Sequence, residues 1–237
     1  MMKGMQNETR YSRQTMLPQF GEEGQRKLSA AKVLLVGVGG LASPVAFYLA
    51  GAGVGHIGLI DPDKVAVSNL QRQVLYKESE TGQLKVECAK KRLLELNSGL
   101  EIDCYPYWFD KENSDKIVSQ YDLIIDGCDN FATRYLIDDL SFKYKIPYIH
   151  GSIGEFKGQV SVFNYKNSRR YRDLYPHDGN MPMDESTPKG VLGPVPGVIG
   201  SLQAIEAIKI ITGIGTPLIN RLLTVDLLTM EILMLSI

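Results

Sequence analysis

The chain has 237 residues, of which 44% are hydrophobic and 22% are charged, as is typical of a globular protein with one large core. The formal charge of −1 gives no general electrostatic case for binding nucleic acid or an acidic membrane. Three cysteines without a C-x-x-C pair argue against a disulfide framework and favour a reducing, cytoplasmic location. Residues 1–10 are polar, unlike a signal peptide, and no unbroken apolar run reaches the ~18 residues of a membrane span.

Strands and helices alternate along the first 150 residues. Short apolar runs predict strands at 32–37, 56–61, 101–105, 121–126 and 147–150. Segments with apolar residues at helical spacing predict helices at 41–52, 83–96, 112–119 and 131–144. This alternation is typical of an α/β protein with a parallel sheet and right-handed crossovers.

The pattern changes after Gly151. Residues 166–196 are rich in proline, glycine and charged residues, and a stretch of this length without periodicity predicts a functional loop. Around it we predict a strand at 158–165, a helix at 198–212 and closing strands at 222–226 and 230–235.

A glycine loop, Gly37-Val38-Gly39-Gly40-Leu41-Ala42, follows the first strand and opens the first helix. Gly37 permits a tight turn, and Gly39 allows the backbone to approach a phosphate at the positive end of the helix dipole. Asp61 ends the second strand, where a carboxylate meets ribose hydroxyls. The loop predicts a nucleotide site; a glycine-rich packing turn and an NAD-type dehydrogenase are the alternatives.

The residues after Asp61 favour ATP over NAD. The segment 68–73 (SNLQRQ) and Lys85 supply cations and amides, which suit a triphosphate better than a nicotinamide. Arg72 and Lys85 would neutralise charge that develops on phosphate oxygens when pyrophosphate leaves. A surface ion pair for Arg72 and a solvated helix face for Lys85 remain the competing interpretations.

Two acidic residues, Asp126 and Asp129, lie at the carboxyl end of a predicted strand, the edge where open α/β sheets bind ligands. One of them would hold Mg²⁺ through oxygen ligands and keep the phosphates in line. The alternative is that Asp129 caps the helix predicted at 131–144.

Six ordered motifs connect these features. They are RYSRQ at 10–14, GVGGLA at 37–42, NLQRQ at 69–73, GQLK at 82–85, CDN at 128–130 and GVIGSLQA at 197–204. Together they closely resemble the ThiF/MoeB/HesA adenylyltransferases, bacterial relatives of ubiquitin-activating enzymes that act in thiamine and molybdopterin biosynthesis. The resemblance runs from about Arg10 to about Asp226, nearly the whole chain.

The resemblance implies one Rossmann-like adenylation domain over residues 1–237, with a mostly parallel sheet, C-terminal antiparallel strands and a long crossover loop. Its nucleotide-binding half would be 30–150, and its carrier-binding and crossover-loop half 151–237. Such enzymes use Mg-ATP to adenylate the C-terminal glycine of a small ubiquitin-like sulfur carrier that ends in Gly-Gly. A carboxylate is already ionised at neutral pH, so positioning and charge neutralisation suffice for catalysis.

The matched motifs also imply residue roles. Asp129 would bind Mg²⁺, and Arg13 would reach across a homodimer into the partner's site. The remaining residues implied at the nucleotide are Gly37, Gly39 and Gly40 in the loop, Asp61 at the ribose, and Asn69, Arg72 and Lys85 at the phosphates.

The sequence departs from the family in two places. Many members bind zinc through two C-x-x-C pairs, but residues 170–173 read RYRD, only His177 lies nearby, and a second pair is absent; we expect no zinc. An Arg170–Asp173 ion pair is the expected replacement. Some members carry a crossover-loop cysteine where this chain has Ser186, so we expect no covalent loop thioester.

Other residues and functions stay open. Cys128 is interpreted as an inert residue of the core, and His150 as structural rather than catalytic. Besides carrier adenylation, the alternatives are a relative that adenylates another carboxylate and a non-catalytic scaffold of the same fold. No residue selects between a thiamine and a molybdopterin carrier.

Overall fold

The computed structural model describes residues 10–176 and 190–237, and this part of the chain contains eight strands. They are β1 (Lys32–Val36), β2 (His56–Ile60), β3 (Glu101–Tyr105), β4 (Leu123–Asp126), β5 (Tyr148–Gly154), β6 (Lys157–Phe163), β7 (Arg221–Asp226) and β8 (Glu231–Ser236). All eight belong to one sheet in the order β3-β2-β1-β4-β5-β6-β7-β8.

Helices connect and cover these strands. They are α1 (Ser12–Thr15), α2 (Gly21–Ala30), α3 (Ala42–Ala52), α4 (Lys85–Leu96), α5 (Ser114–Val118), α6 (Phe131–Tyr144), α7 (Tyr171–Leu174) and α8 (Pro194–Thr212). Two apolar clusters form the core, one on each face of the sheet.

The pairing of the strands confirms the predicted fold class. The five strands from β3 to β5 in the sheet order are parallel to one another, and β6, β7 and β8 follow β5 as antiparallel neighbours. The chain passes from β1 to β2 on one side, and β4 lies on the other side of β1. The carboxyl ends of β1 and β4 therefore flank a topological switch point, where open α/β sheets bind ligands.

Four helices differ clearly from the sequence prediction. The helices α1 and α2 were not predicted, because the buried face of α2 includes Gly24 and Gln25 and carries little apolar pattern. The region 166–196 is not wholly a loop, since it contains α7 and the first turn of α8. The helix α8 begins at Pro194, where a proline fits because the first helical N–H groups need no partner within the helix.

The helix α8 is the one helix in the described ranges that is long and apolar enough to cross a membrane by length and composition. It contains Gln203, Glu206 and Lys209, so its apolar sequence is interrupted. Half of its most apolar window is buried, and it packs against β5, β6 and α3. These contacts are those of a core helix.

Candidate active site

A pocket of about 970 Å³ opens at the carboxyl ends of β1, β2 and β4, at the switch point of the sheet. Nine residues were predicted to form the site, and seven of them line this pocket. The seven are Gly37, Gly39, Gly40, Asp61, Arg72, Lys85 and Asp129. Residues that are separated by up to 92 positions in sequence, from 37 to 129, therefore share one cavity.

The glycine loop is held in shape by its neighbours. Gly37 has a φ of +83°, and a Cβ there would lie 2.8 Å from the backbone of Gly127, so only glycine fits. The N–H of Val38 donates to the Asp61 carboxylate over 2.7 Å, and the Tyr76 hydroxyl donates to the Val38 carbonyl over 2.6 Å. The turn is thus preorganised at the beginning of α3.

Asp61 combines this structural bond with a place in the pocket wall. It is 6% exposed, and its second oxygen accepts the N–H of Asp63 over 2.8 Å. Burial raises the pKa of Asp61, although the nearby Lys85 ammonium opposes that rise. Asp61 follows the second strand and lines the pocket, and its role at a ribose stays a prediction.

The two predicted phosphate-binding cations, Arg72 and Lys85, both line the pocket. Lys85 is 5% exposed, and its Nζ lies 2.8 Å from Asp63 and 3.8 Å from Asp61, so the solvated-face interpretation is wrong. Arg72 donates from Nη1 to the Ser68 carbonyl over 2.9 Å. Within residues 10–176 and 190–237 Arg72 makes no ion pair, which leaves its charge available to an anion in the pocket.

Asp129 also lines the pocket, follows the end of β4, and is exposed. The cap of α6 is Asn130, whose Oδ1 accepts the N–H of Thr133 over 2.9 Å, so the alternative role of Asp129 as helix cap is wrong. One exposed carboxylate in this pocket would suit Mg²⁺, which is usually held by one or two carboxylates together with substrate phosphates. The described ranges contain no cluster of three or more candidate metal ligands, and such a site requires none.

Two predicted residues do not line the pocket. Asn69 ends a short 3₁₀ turn, where its Oδ1 accepts the N–H of Ala66 over 3.3 Å and its carbonyl accepts the N–H of Arg72 over 3.1 Å. It therefore shapes the segment that carries Arg72. Arg13 lies exposed on α1, outside the pocket of its own chain. Its contribution across a homodimer stays a prediction.

A buried polar network around Asp126 borders the pocket through Arg134 and His150, and the sequence did not predict that these residues meet. Asp126, fully buried at the end of β4, accepts from Arg134 Nε over 3.2 Å and from the Tyr148 hydroxyl over 3.0 Å, and it contacts His150 Nδ1 at 2.8 Å. Burial favours a raised pKa for Asp126, but Arg134 and His150 outweigh it and lower the pKa to about 2. Burial lowers the pKa of His150 and keeps its ring neutral.

Both Arg134 and His150 also line the pocket. His150 had been interpreted as structural, and its hydrogen bond to Asp126 agrees with that interpretation. Arg134 had not been singled out, because an arginine within a predicted helix is usually exposed.

Cys128 lies beside this network. Its Sγ contacts Asp126 Oδ1 at 2.9 Å, and burial together with that carboxylate raises the thiol pKa well above its ordinary value. A thiol kept protonated is a poor nucleophile. Ser186 and His177 lie outside the described residues.

The prediction of a side-chain ion pair between Arg170 and Asp173 is wrong. The Asp173 carboxylate accepts the backbone N–H of Arg170 over 2.8 Å, as a residue in the first turn of α7 does. The Arg170 guanidinium instead donates to Asp138 over 3.0 Å and to Asp139 over 2.8 Å, both on α6. Arg172 also pairs with Asp139, over 2.7 Å, so two arginines fasten α7 to α6.

Comparisons with known proteins show the family of the chain. The model of the ThiF family matches residues 11–237. The chain is 44% identical to a sulfur carrier protein adenylyltransferase of Thermus thermophilus, over 92% of this chain and 83% of that protein. It is also 44% identical to a probable molybdopterin-synthase adenylyltransferase of Porphyra purpurea, over 94% of this chain and 59% of that protein. The chain thus spans about three fifths of the latter relative's length.

Solved structures give a second comparison. The crystal structure of E. coli MccB with ATP superposes with a TM-score of 0.85 at 25% identity, over 97% of this chain and 72% of that chain. MccB with MccA-N7isoASN gives a TM-score of 0.86 at 26% identity, with the same coverage. Both agree with the fold described above.

Proposed function

The chain belongs to the ThiF family, and on that premise we propose that it uses ATP to adenylate the C-terminal carboxylate of a small sulfur-carrier protein, releasing pyrophosphate. The observation that carries the proposal is the convergence of the glycine loop, Asp61, Arg72, Lys85 and Asp129 on one pocket at the switch point. A glycine turn alone fits many nucleotides. Two cations and an exposed carboxylate around the same pocket fit a triphosphate with its metal.

The proposed reaction is an in-line displacement at the α-phosphorus of ATP. The carrier carboxylate forms the new bond to phosphorus, and the bond to the pyrophosphate oxygen breaks. The N–H groups at the beginning of α3, with Arg72 and Lys85, hold the phosphates and neutralise the leaving pyrophosphate. Mg²⁺ would supply further positive charge there, held by Asp129. Lys85 would exchange part of its contact with Asp63 for the phosphates.

The far side of the pocket supports an extended chain end as the second substrate. There the cavity continues along β5 to β8, where Gly154, Gly158, Gln159, Thr224 and Leu233 are among the lining residues. Gly154 and Gly158 have no side chains, so this part of the pocket lining suits a Gly-Gly tail. The exposed apolar residues of β8 offer a surface for the body of the carrier.

A homodimer and a cytoplasmic location complete the proposal. In the dimer, Arg13 of each chain would enter the partner's pocket. An apolar groove lined by Tyr48, Ala204, Ile205 and Ile208 supports such a contact. The names of the relatives favour a molybdopterin-pathway carrier, and a thiamine-pathway carrier is the second choice.

The test is exchange of labelled pyrophosphate into ATP, with and without a purified carrier that ends in Gly-Gly. We expect exchange that requires the carrier and Mg²⁺, and a loss of at least about a hundredfold in Arg72→Ala and Asp129→Ala. Arg92→Ala is the matched control, since Arg92 lies on α4 outside the pocket. Undiminished exchange in both site variants would refute the assignment of the site.

The likeness to MccB favours a second candidate, adenylation of a carboxylate other than that of a sulfur carrier. The same assay separates the two. Exchange that requires the carrier supports the first candidate, and exchange that requires an added peptide with a free C-terminal carboxylate instead of the carrier supports the second. A protein that binds ATP but shows no exchange with either substrate would be a scaffold.

A further inference from the structure

A closed ring of hydrogen bonds holds Cys128, the residue that precedes Asp129. The Asp126 carboxylate accepts the N–H of Cys128 over 3.0 Å through Oδ1 and accepts from Arg134 Nε over 3.2 Å through Oδ2. The Arg134 guanidinium then donates from Nη2 to the carbonyl of Cys128 over 3.0 Å. Residue 128 is therefore held at both its N–H and its carbonyl by two side chains that also pair with each other.

The carbonyl of Cys128 belongs to the peptide group that joins Cys128 to Asp129. Rotation of this peptide would change the direction of the Asp129 carboxylate within the pocket that Arg72 and Lys85 also line. The Asp129 side chain has little support of its own, because among the described residues its carboxylate accepts only a long hydrogen bond, 3.5 Å, from Asn130. The direction of Asp129 thus depends on the backbone that Arg134 holds.

Arg134 is suited to this task by its shape and its burial. It is 9% exposed, and Asp126 is fully buried, so the pair is shielded from water. One planar guanidinium reaches the carboxylate with Nε and the carbonyl with Nη2, two bonds that a lysine ammonium on a flexible stem cannot make in the same geometry. The Asp126 carboxylate is itself fixed by Tyr148 and His150.

We propose that Arg134 is a positioning residue for the reaction: seated on Asp126, it fixes the Cys128–Asp129 peptide and so aims the Asp129 carboxylate at the metal and phosphates of bound ATP. This inference rests on the proposed function, because it assigns a role toward the same nucleotide. It does not require Arg134 to touch the substrate.

The test is the affinity for ATP measured by isothermal titration calorimetry with and without Mg²⁺, on the full chain. In the wild type Mg²⁺ strengthens ATP binding. In Arg134→Gln we expect about tenfold less of this Mg²⁺-dependent gain, while the metal-free affinity changes less than about threefold. Asp129→Asn should lose the gain as well, and the double variant should lose no more than Asp129→Asn alone, because both changes remove one interaction.

Two further variants separate positioning from general stabilisation. Arg170→Gln breaks another arginine–aspartate contact on α6, away from the pocket, and should keep the full Mg²⁺-dependent gain. Arg134→Lys keeps the charge and should still lose the Mg²⁺-dependent gain in ATP affinity, because a lysine lacks the two fixed donors of the guanidinium. The Arg134→Lys variant also replaces Arg134→Gln in the test if Arg134→Gln does not fold.

Four results would overturn the inference while leaving ATP use intact. They are an unchanged Mg²⁺-dependent gain in Arg134→Gln, full rescue by lysine, additive losses in the double variant, and an equal fall in metal-free affinity. Failure of the wild type to bind ATP at all would instead overturn the proposed function.

Discussion

Lys85 gives the sharpest test of the proposed phosphate-binding residues, because its charge is buried against two carboxylates. Its side chain is 6% exposed, with Nζ 2.8 Å from Asp63 and 3.8 Å from Asp61. Lys85→Met keeps the apolar stem and removes the cation. Breaking a fully buried pair costs about 3–5 kcal/mol, but the Asp63 side chain is 57% exposed and screened, so we expect a loss of about 2 kcal/mol in the free energy of unfolding.

The same substitution removes a charged contact to the phosphates of ATP. Hydrogen bonds to charged groups contribute about 1.5–3 kcal/mol, which corresponds to a rise of roughly thirtyfold in the Kd for ATP. Urea unfolding and isothermal titration calorimetry measure the two effects. Lys91→Met, an exposed position on the same helix, is the matched control and should change neither. If Lys85→Met behaves like this control in both assays, Lys85 is not a phosphate ligand and the proposed phosphate-binding role is wrong.

Three further predictions concern the rest of the pocket. Gly37→Ala places a methyl group 2.8 Å from the Gly127 backbone at a φ that costs ~1–2 kcal/mol, so calorimetry should show ATP affinity reduced about tenfold; unchanged affinity would argue against the phosphate cradle. The pKa of Asp126 is lowered to about 2 in the folded protein, so its stabilisation is present above the unfolded-state value near 4 and is lost as the pH falls toward 2. Urea unfolding should show a loss of about 2 kcal/mol over that range that Asp126→Asn lacks, and an identical pH dependence would contradict it. Trp108, the single tryptophan, lines the pocket, so saturation with ATP should change its fluorescence, and an unaltered emission would exclude this edge from the site.

Much of the fold followed from the sequence because its local patterns agree with the final structure. The helix α6 was predicted with the bounds that it has, since Asn130 caps its beginning and Lys145, in a left-handed conformation, ends it. The strand β5 was predicted too short. It extends to Gly154 because β6 pairs with it as an antiparallel neighbour, which no local pattern of residues 151–154 reveals.

The site was predictable where a rule relates sequence position to the sheet edge. Gly37, Asp61 and Asp129 each follow a strand that ends at that edge, so their convergence was expected from the order of strands. No such rule predicts the buried network around Asp126. Arg134 and His150 meet at Asp126 from a helix and a neighbouring strand, and such a buried contact depends on tertiary packing alone.

The expected replacement for the zinc site failed for a related reason. The sequence of residues 170–173 indicates a pair within that stretch, whereas the structure pairs Arg170 with Asp138 and Asp139, more than 30 residues earlier. Arginine side chains are long enough to reach a neighbouring helix. Sequence proximity is therefore a weak guide to their partners.

The most direct test of carboxylate adenylation follows the label from ATP into the carrier. The protein, a carrier that ends in Gly-Gly, and Mg²⁺ are incubated with ATP labelled in the α-phosphate or, separately, in the γ-phosphate, and the carrier is then isolated under acidic conditions. The proposed reaction predicts α-label on the carrier, γ-label in pyrophosphate alone, and loss of the α-label from a carrier that lacks the final glycine. Transfer of the γ-label to the carrier, or an unlabelled carrier despite ATP binding, would contradict it.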